Sequence, residues 1–180
     1  MDGDKIAVYN EKDIECSVEG LDHVNIVVHD IVIMSRFYQG VLGMTVYKTA
    51  SITGKWVDAI SGLSNVLAEV VFLNGGGDTN IELIEYKNPV GKTLPLLGTP
   101  NTFGIRHLAF RVSDIEKIVN RCKVLGVAME HEVQDVPTSQ VSFSGSRRKR
   151  LCYFRDPEGN LLEFCGYEPP GPATIDVQGG

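Results

Sequence analysis

The segment GLDHVNIVVHDI (20–31) recurs as GIRHLAFRVSDI (104–115), with Gly, His, Val, Asp and Ile at matching places under a constant offset of 84. Such internal self-similarity constrains the fold before any other feature, because whatever one copy builds the other should build too. In the first copy Val24, Ile26 and Val28 alternate with His23, Asn25 and Val27, the pattern of a half-buried strand. A helical pattern follows in each. IVIMSRFYQGVLGM places Ile33, Phe37 and Val41 in steps of four, and DIEKIVNRCKVLGV places Ile115, Ile118, Val119 and Cys122 on one face. Asp30 and Asp114 stand at the N-cap positions, and both helical runs end at Leu-Gly, Leu42-Gly43 and Leu125-Gly126.

Each copy then continues into strands. LAEVVFLN and NIELIEY flank the turn GGGDT, and RLCYFRD and NLLEFCGY flank DPEGN, a good turn sequence. MTVYKT and VAMEHEV add a strand apiece. The expected fold is therefore α+β, two paired βαβββ modules forming a cupped, mostly antiparallel sheet. Its expected divisions are an N-terminal extension (1–19), module 1 (20–87), a linker with room for a short helical turn (88–103), module 2 (104–168) and a flexible tail rich in Pro and Gly (169–180).

Composition narrows the function. A net charge of −6 argues against a general nucleic-acid binder, and no apolar run approaches the length needed to span a membrane. The acidic N-terminus lacks the apolar core of a secretory signal. Cys16, Cys122, Cys152 and Cys165 are too dispersed for a zinc site or a disulfide framework, which implies reduced thiols and a cytoplasmic protein.

The chemistry lies in the repeat. Glu82 sits in the last strand of module 1 and Glu163 in the last strand of module 2. His23 to Glu82 spans 59 residues, and His107 to Glu163 spans 56. One strand histidine is ordinarily structural and one half-exposed glutamate ordinarily solvated. Scatter does not place both types at matching points of two copies. If the modules pack about a pseudo-twofold axis, His23, Glu82, His107 and Glu163 converge. Two imidazoles and two carboxylates suit one divalent first-row ion (Ni, Co, Mn, Fe or Zn) and not a closed structural zinc site. Such an ion acts as a Lewis acid toward a carbonyl oxygen while a carboxylate beside it moves a proton.

The pieces DHVNIVVHD, FYQGVLGM, IELIEY, GIRHLAFRV and FRDPEGNLLEF resemble the vicinal oxygen chelate superfamily over residues 20–167. That group includes glyoxalase I, methylmalonyl-CoA epimerase, extradiol dioxygenases and bleomycin- or fosfomycin-resistance proteins. The resemblance implies metal ligands at His23, Glu82, His107 and Glu163, with Glu163 as ligand and base and Glu82 as a second proton carrier. It implies a small carbonyl or thioester substrate enolised by an isomerase or lyase. Glyoxalase I usually has Arg and Asn where this chain has Val27 and Tyr86, which argues against a glutathione hemithioacetal. Two alternatives stand beside this one: an Fe(II) extradiol dioxygenase opening a catechol, and a non-enzymatic binder of a drug or metabolite. The edges of a cupped sheet also let two copies pair as a homodimer.

Other features read as structural. The basic run SRRKR (146–150) reads as a solvated loop, with an anion clamp at Arg147–Arg150 as its functional alternative. Arg106 and Glu85 should face away from His107 and Glu82, their neighbours on the strands. His29 and His131 break the repeat and read as surface residues. Phe37, Tyr38 and Trp56 read as core.

Overall fold

The computed structural model describes residues 18–169 apart from 94, 96 and 97; the expected N-terminal extension and the Pro/Gly tail fall almost wholly outside them. The first module runs β1 (His23–Val27), α1 (Ile31–Gly40), β2 (Thr45–Thr53), α2 (Lys55–Ser61), β3 (Leu67–Asn74) and β4 (Asn80–Asn88). The second runs β5 (His107–Arg111), α3 (Ile115–Val124), β6 (Gln134–Asp135), β7 (Arg148–Arg155) and β8 (Leu161–Glu168). The offset of 84 seen in the repeat carries β1 onto β5 and α1 onto α3 residue for residue.

Each module is a four-stranded mixed sheet, ordered β1-β4-β3-β2 and β5-β8-β7-β6, with β1 parallel to β4 and β5 parallel to β8. The remaining neighbours are antiparallel. Because β1 and β5 are both edge strands, the expected sheet is built as two halves. A cavity of about 360 Å³ lies along the seam between them, lined by residues 24–29 and 105–108 among others.

The helices start and stop as their caps dictate. The Asp30 carboxylate accepts from the N–H groups of Val32 and Ile33, and that of Asp114 accepts from Lys117 N–H. Gly43 and Gly126 carry the positive φ that lets the chain turn out of each helix. In the second hairpin Asp156 accepts from the N–H groups of Glu158 and Asn160, which fixes the DPEGN turn.

One face of each sheet is covered by its helix. Val28, Ile31, Met34, Tyr38, Leu73, Ile81 and Leu83 form the core under α1, and Ile115, Val119, Cys122, Cys152, Phe154, Leu162 and Phe164 form the core under α3. Leu108, Phe110, Phe37 and Leu42 pack against both, so the modules share one apolar interior. Polar ties reinforce the joint. The Glu158 carboxylate accepts from the N–H groups of His29 and Asp30 at the start of α1, Arg121 donates to Gly40 O, and the buried Tyr38 hydroxyl donates to Asp156.

Two expectations are corrected. The buried face of α1 is Ile31, Met34, Ser35 and Tyr38, spaced by three and four residues, and Ile33 is exposed on another side of the helix. The segment VAMEHEV forms no full strand. It stays beside β7 through a bridge from Met129 to Phe154 and the Glu130 N–H to Tyr153 O bond, and pairing resumes only at β6. The helix α2 was not legible, since seven residues are too few to show a period. It covers part of the opposite face of sheet 1, where Val57 packs on Val66, Ala68, Val70 and Ile84. The described part of the linker holds turns and no helix. Among the described residues no helix is long and apolar enough to cross a membrane.

Candidate metal centre

Alternation along β1 sends Val24, Ile26 and Val28 under α1, so His23, Asn25 and Val27 emerge on the sheet's other, open face. The parallel register sets Asn25 beside Glu82. The Asn25 amide donates to Glu82 Oε1 at 2.8 Å, and His23 Nε2 lies 3.5 Å from Glu82 Oε2. On the other side of the ring, Nδ1 is 2.7 Å from Asp22 Oδ2, which aims Nε2 at Glu82. Hydrogen bonding to Asp22, helped by the charge of Glu82 and opposed by burial, holds the His23 pKa above its usual value.

The second copy repeats the design with different support. Leu108 and Phe110 turn inward, and His107 emerges on the open face of sheet 2. Its Nε2 lies 3.4 Å from Glu163 Oε2. Here the residue beside the glutamate is Ala109, which has no donor. Lys149 of β7 takes over: its Nζ lies 3.1 Å from Glu163 Oε1, close enough for charge pairing but off the line of a well-formed hydrogen bond. Glu163 is only 3% exposed. Burial opposes the charge on Lys149, but Glu163 more than offsets it and the ammonium is held above its ordinary range. Tyr153, opposite Glu163 in the β7–β8 register, has its hydroxyl pushed up by burial and by that same carboxylate. Its ring contacts those of His107 and His131, at centroid separations of 5.4 and 5.7 Å.

The four residues singled out from the repeat thus form two His–Glu pairs, each with Nε2 facing Oε2. Among the described residues, no three of His, Cys, Asp and Glu come close enough together to hold one ion. The chemistry of each pair nonetheless fits a divalent ion. Two ligands bound at about 2.1 Å stand roughly 3.0–3.4 Å apart at octahedral to tetrahedral angles, close to the observed separations of 3.5 and 3.4 Å. A histidine whose far nitrogen is held by a carboxylate, as His23 is by Asp22, is oriented as metal-binding histidines are. Glu163 Oε1 is a buried acceptor without a well-formed hydrogen bond whose cationic neighbour is Lys149, which leaves Oε2 beside His107 for an ion.

Sequence reasoning missed Asn25, Asp22, Lys149 and Tyr153, and His131, read as a surface residue, is half-buried against Tyr153. Two signals were available: Asn25 is two residues from His23, and counting back from the DPEGN turn sets Tyr153 opposite Glu163. The basic run is also corrected. It enters β7, where Arg148 and Arg150 pair with Asp135, Glu168 and Glu116, while alternation sends Lys149 to the opposite face. Glu85 faces away from Glu82 as expected and accepts from Ile31 N–H. Tyr38 is fully buried, Phe37 packs between the cores, and Trp56 is exposed on α2, contrary to its expected place in the core. The thiols of Cys122, Cys152 and Cys165 are buried and free, and burial pushes that of Cys152 up to about 11. Tyr86, where an asparagine was looked for, packs into the core beneath α2. The seam cavity is lined by His107 but not by His23, Glu82 or Glu163, so it belongs to the joint between modules.

A family model described as the Glyoxalase/Bleomycin resistance protein/Dioxygenase superfamily matches residues 20–164, and the chain belongs to that superfamily. It is 27% identical over 146 residues to the uncharacterized protein YaeR of Escherichia coli (strain K12), covering 79% of this chain and 92% of YaeR. The fold is similar to that of a glyoxalase family protein from Bacillus cereus, with TM-score 0.72, 24% identity and coverage of 86% of this chain and 98% of that one. It is also similar to the trypanothione-dependent glyoxalase I of Leishmania major, with TM-score 0.56, 19% identity and coverage of 83% and 87%. For the fosfomycin resistance protein FosX of Mesorhizobium loti the TM-score is 0.51, with 20% identity and coverage of 88% and 96%.

Proposed function

We propose that this chain is a divalent-metal-dependent isomerase or lyase of the glyoxalase or epimerase type, which enolises a small carbonyl or thioester substrate. The observation that carries the reading is the duplicated pairing: His23 Nε2 with Glu82 Oε2, and His107 Nε2 with Glu163 Oε2, on the open faces of two like sheets. His23, Glu82, His107 and Glu163 are the ligands in this reading. A divalent ion held by them supplies Lewis acidity toward the substrate's carbonyl oxygen.

The chain's own groups divide the remaining work. Asp22 orients His23, and Asn25 holds one oxygen of Glu82 so that the other is presented beside the imidazole. Either glutamate can take a proton from the carbon next to a carbonyl, a transfer that a positioned carboxylate assists. A ring-cleaving dioxygenase needs only two histidines and one glutamate, which would leave Glu82 without a role. A pure binding protein needs neither pair.

The test is metal analysis of the chelator-stripped and reloaded protein, followed by proton exchange at substrate α-carbons in D₂O across a panel of α-hydroxyketones, hemithioacetals and thioesters. Solvent exchange that requires metal and is lost in Glu163→Gln and Glu82→Gln supports the reading. Oxygen uptake with catechols and no exchange would replace it. Because four ligands must meet on one ion, His23→Ala and His107→Ala variants should also be mixed. Binding recovered only on mixing places the site between two copies, and no recovery places it within one.

A further inference from the structure

The two half-sites differ in what holds the outer oxygen of each carboxylate. In the first it is the neutral amide of Asn25, 2.8 Å from Glu82 Oε1. In the second, Ala109 stands at the equivalent place and the ammonium of Lys149 lies 3.1 Å from Glu163 Oε1. The place equivalent to Lys149 in module 1, counting from the residues opposite the two glutamates, is Ala68, buried beneath α2. Among the described residues, one half-site therefore carries a paired lysine ammonium where its twin has the Asn25 amide. The lysine side chain is only 19% exposed, and the carboxylate it meets is nearly sealed from water. A buried carboxylate without a counter-charge is strongly unfavourable, and Lys149 is the cation placed beside this one.

We propose that Lys149 is the built-in counter-cation of the second half-site. Its ammonium faces Glu163 Oε1 while Oε2 turns to His107, and it limits how tightly a divalent ion is then held. The inference rests on the metal reading above. Its physical basis is that Oε2, the oxygen left for an ion, belongs to a carboxylate whose charge Lys149 already offsets. Two cations sharing one carboxylate in a partly buried site repel one another. Lys149 is thus a positioning residue that sets metal affinity, and the chain tolerates losing its ion because the ammonium remains behind.

The experiment uses the full chain, stripped with a chelator, and its Lys149→Met and Lys149→Arg variants. Each is titrated calorimetrically with Ni²⁺ alone, and its melting temperature is taken with and without the metal. Lys149→Met is expected to bind Ni²⁺ at least about tenfold more tightly than wild type. It should melt lower when stripped, and the gap should narrow once it is loaded. Lys149→Arg, which restores the charge, should stay within about threefold of wild type. Affinity in Lys149→Met that is unchanged or weaker overturns the proposal, as does an equal loss of melting temperature with and without metal, the mark of a merely structural lysine. Should Lys149→Met not fold, Lys149→Gln carries the same affinity readout. A wild type that binds no divalent ion overturns the metal reading and this inference together, whereas normal wild-type binding with an indifferent Lys149→Met removes only the role of Lys149.

Discussion

Replacing Glu163 by glutamine tests both the ion pair and the ligand assignment. The change removes one charge at nearly constant volume, leaves Lys149 without its counter-ion and gives His107 an amide as neighbour. At the 3.1 Å separation of Nζ and Oε1, an effective dielectric of about 20 gives a gross attraction of about 5 kcal/mol. Desolvation of the two groups offsets a large part of this, and the residual exposure of Lys149 lets its ammonium reach water in the variant. The expected net loss is about 2–3 kcal/mol, against the roughly 5–15 kcal/mol that holds a domain of this kind together. Glu163→Gln should therefore remain folded, with a urea midpoint shifted down at unchanged slope. Its divalent-metal affinity should fall by about 100-fold or more, since losing even an outer partner of a ligand costs about 10–100-fold. Urea denaturation and metal titration on the same preparation measure both. Wild-type metal affinity in the variant would refute Glu163 as a ligand, and a variant as stable as wild type would refute the energetic role of the pair.

Glu158→Ala removes the carboxylate that accepts from His29 and Asp30 N–H across the module joint; it should cost about 2 kcal/mol, and a loss below a few tenths by denaturation would show that the tie contributes nothing. Asp30 caps two N–H groups and Asp114 one, so Asp30→Ala should lose more stability than Asp114→Ala, both near about 1 kcal/mol, and the reverse order would count against the cap geometry. Asp156 has its pKa raised by burial, against the hydrogen bonds that favour its charge. A raised native pKa means that the folded chain holds the proton more tightly than the unfolded chain. The resulting stabilisation is present at acid pH and is lost as pH climbs through the raised value. The stability of wild type relative to Asp156→Asn should accordingly decline from pH 3 towards neutrality, and a difference that stays flat or rises would reverse that assignment.

Much of this protein is written in short-range pattern. The repeat at an offset of 84, the alternation through His23 and His107, the capping aspartates and the DPEGN turn are local properties. Backbone geometry answers to residues one to four places away, so the elements and the face carrying each histidine and glutamate could be read directly. The repeat pattern implies that all four residues converge, whereas the strand order sets each glutamate beside the histidine of its own module, because β1 lies next to β4 and β5 next to β8. What needed the tertiary structure was everything set by reach across strands. Asn25 serves Glu82, while Ala109 leaves Glu163 to Lys149, a partner fourteen residues earlier in the chain on the antiparallel neighbour strand. The short α2, the inward turn of Tyr38 to Asp156 and the division of the four candidate residues into two separate pairs are likewise matters of long-range packing. No local period encodes them, because their free energy depends on distances between side chains that only the closed fold establishes.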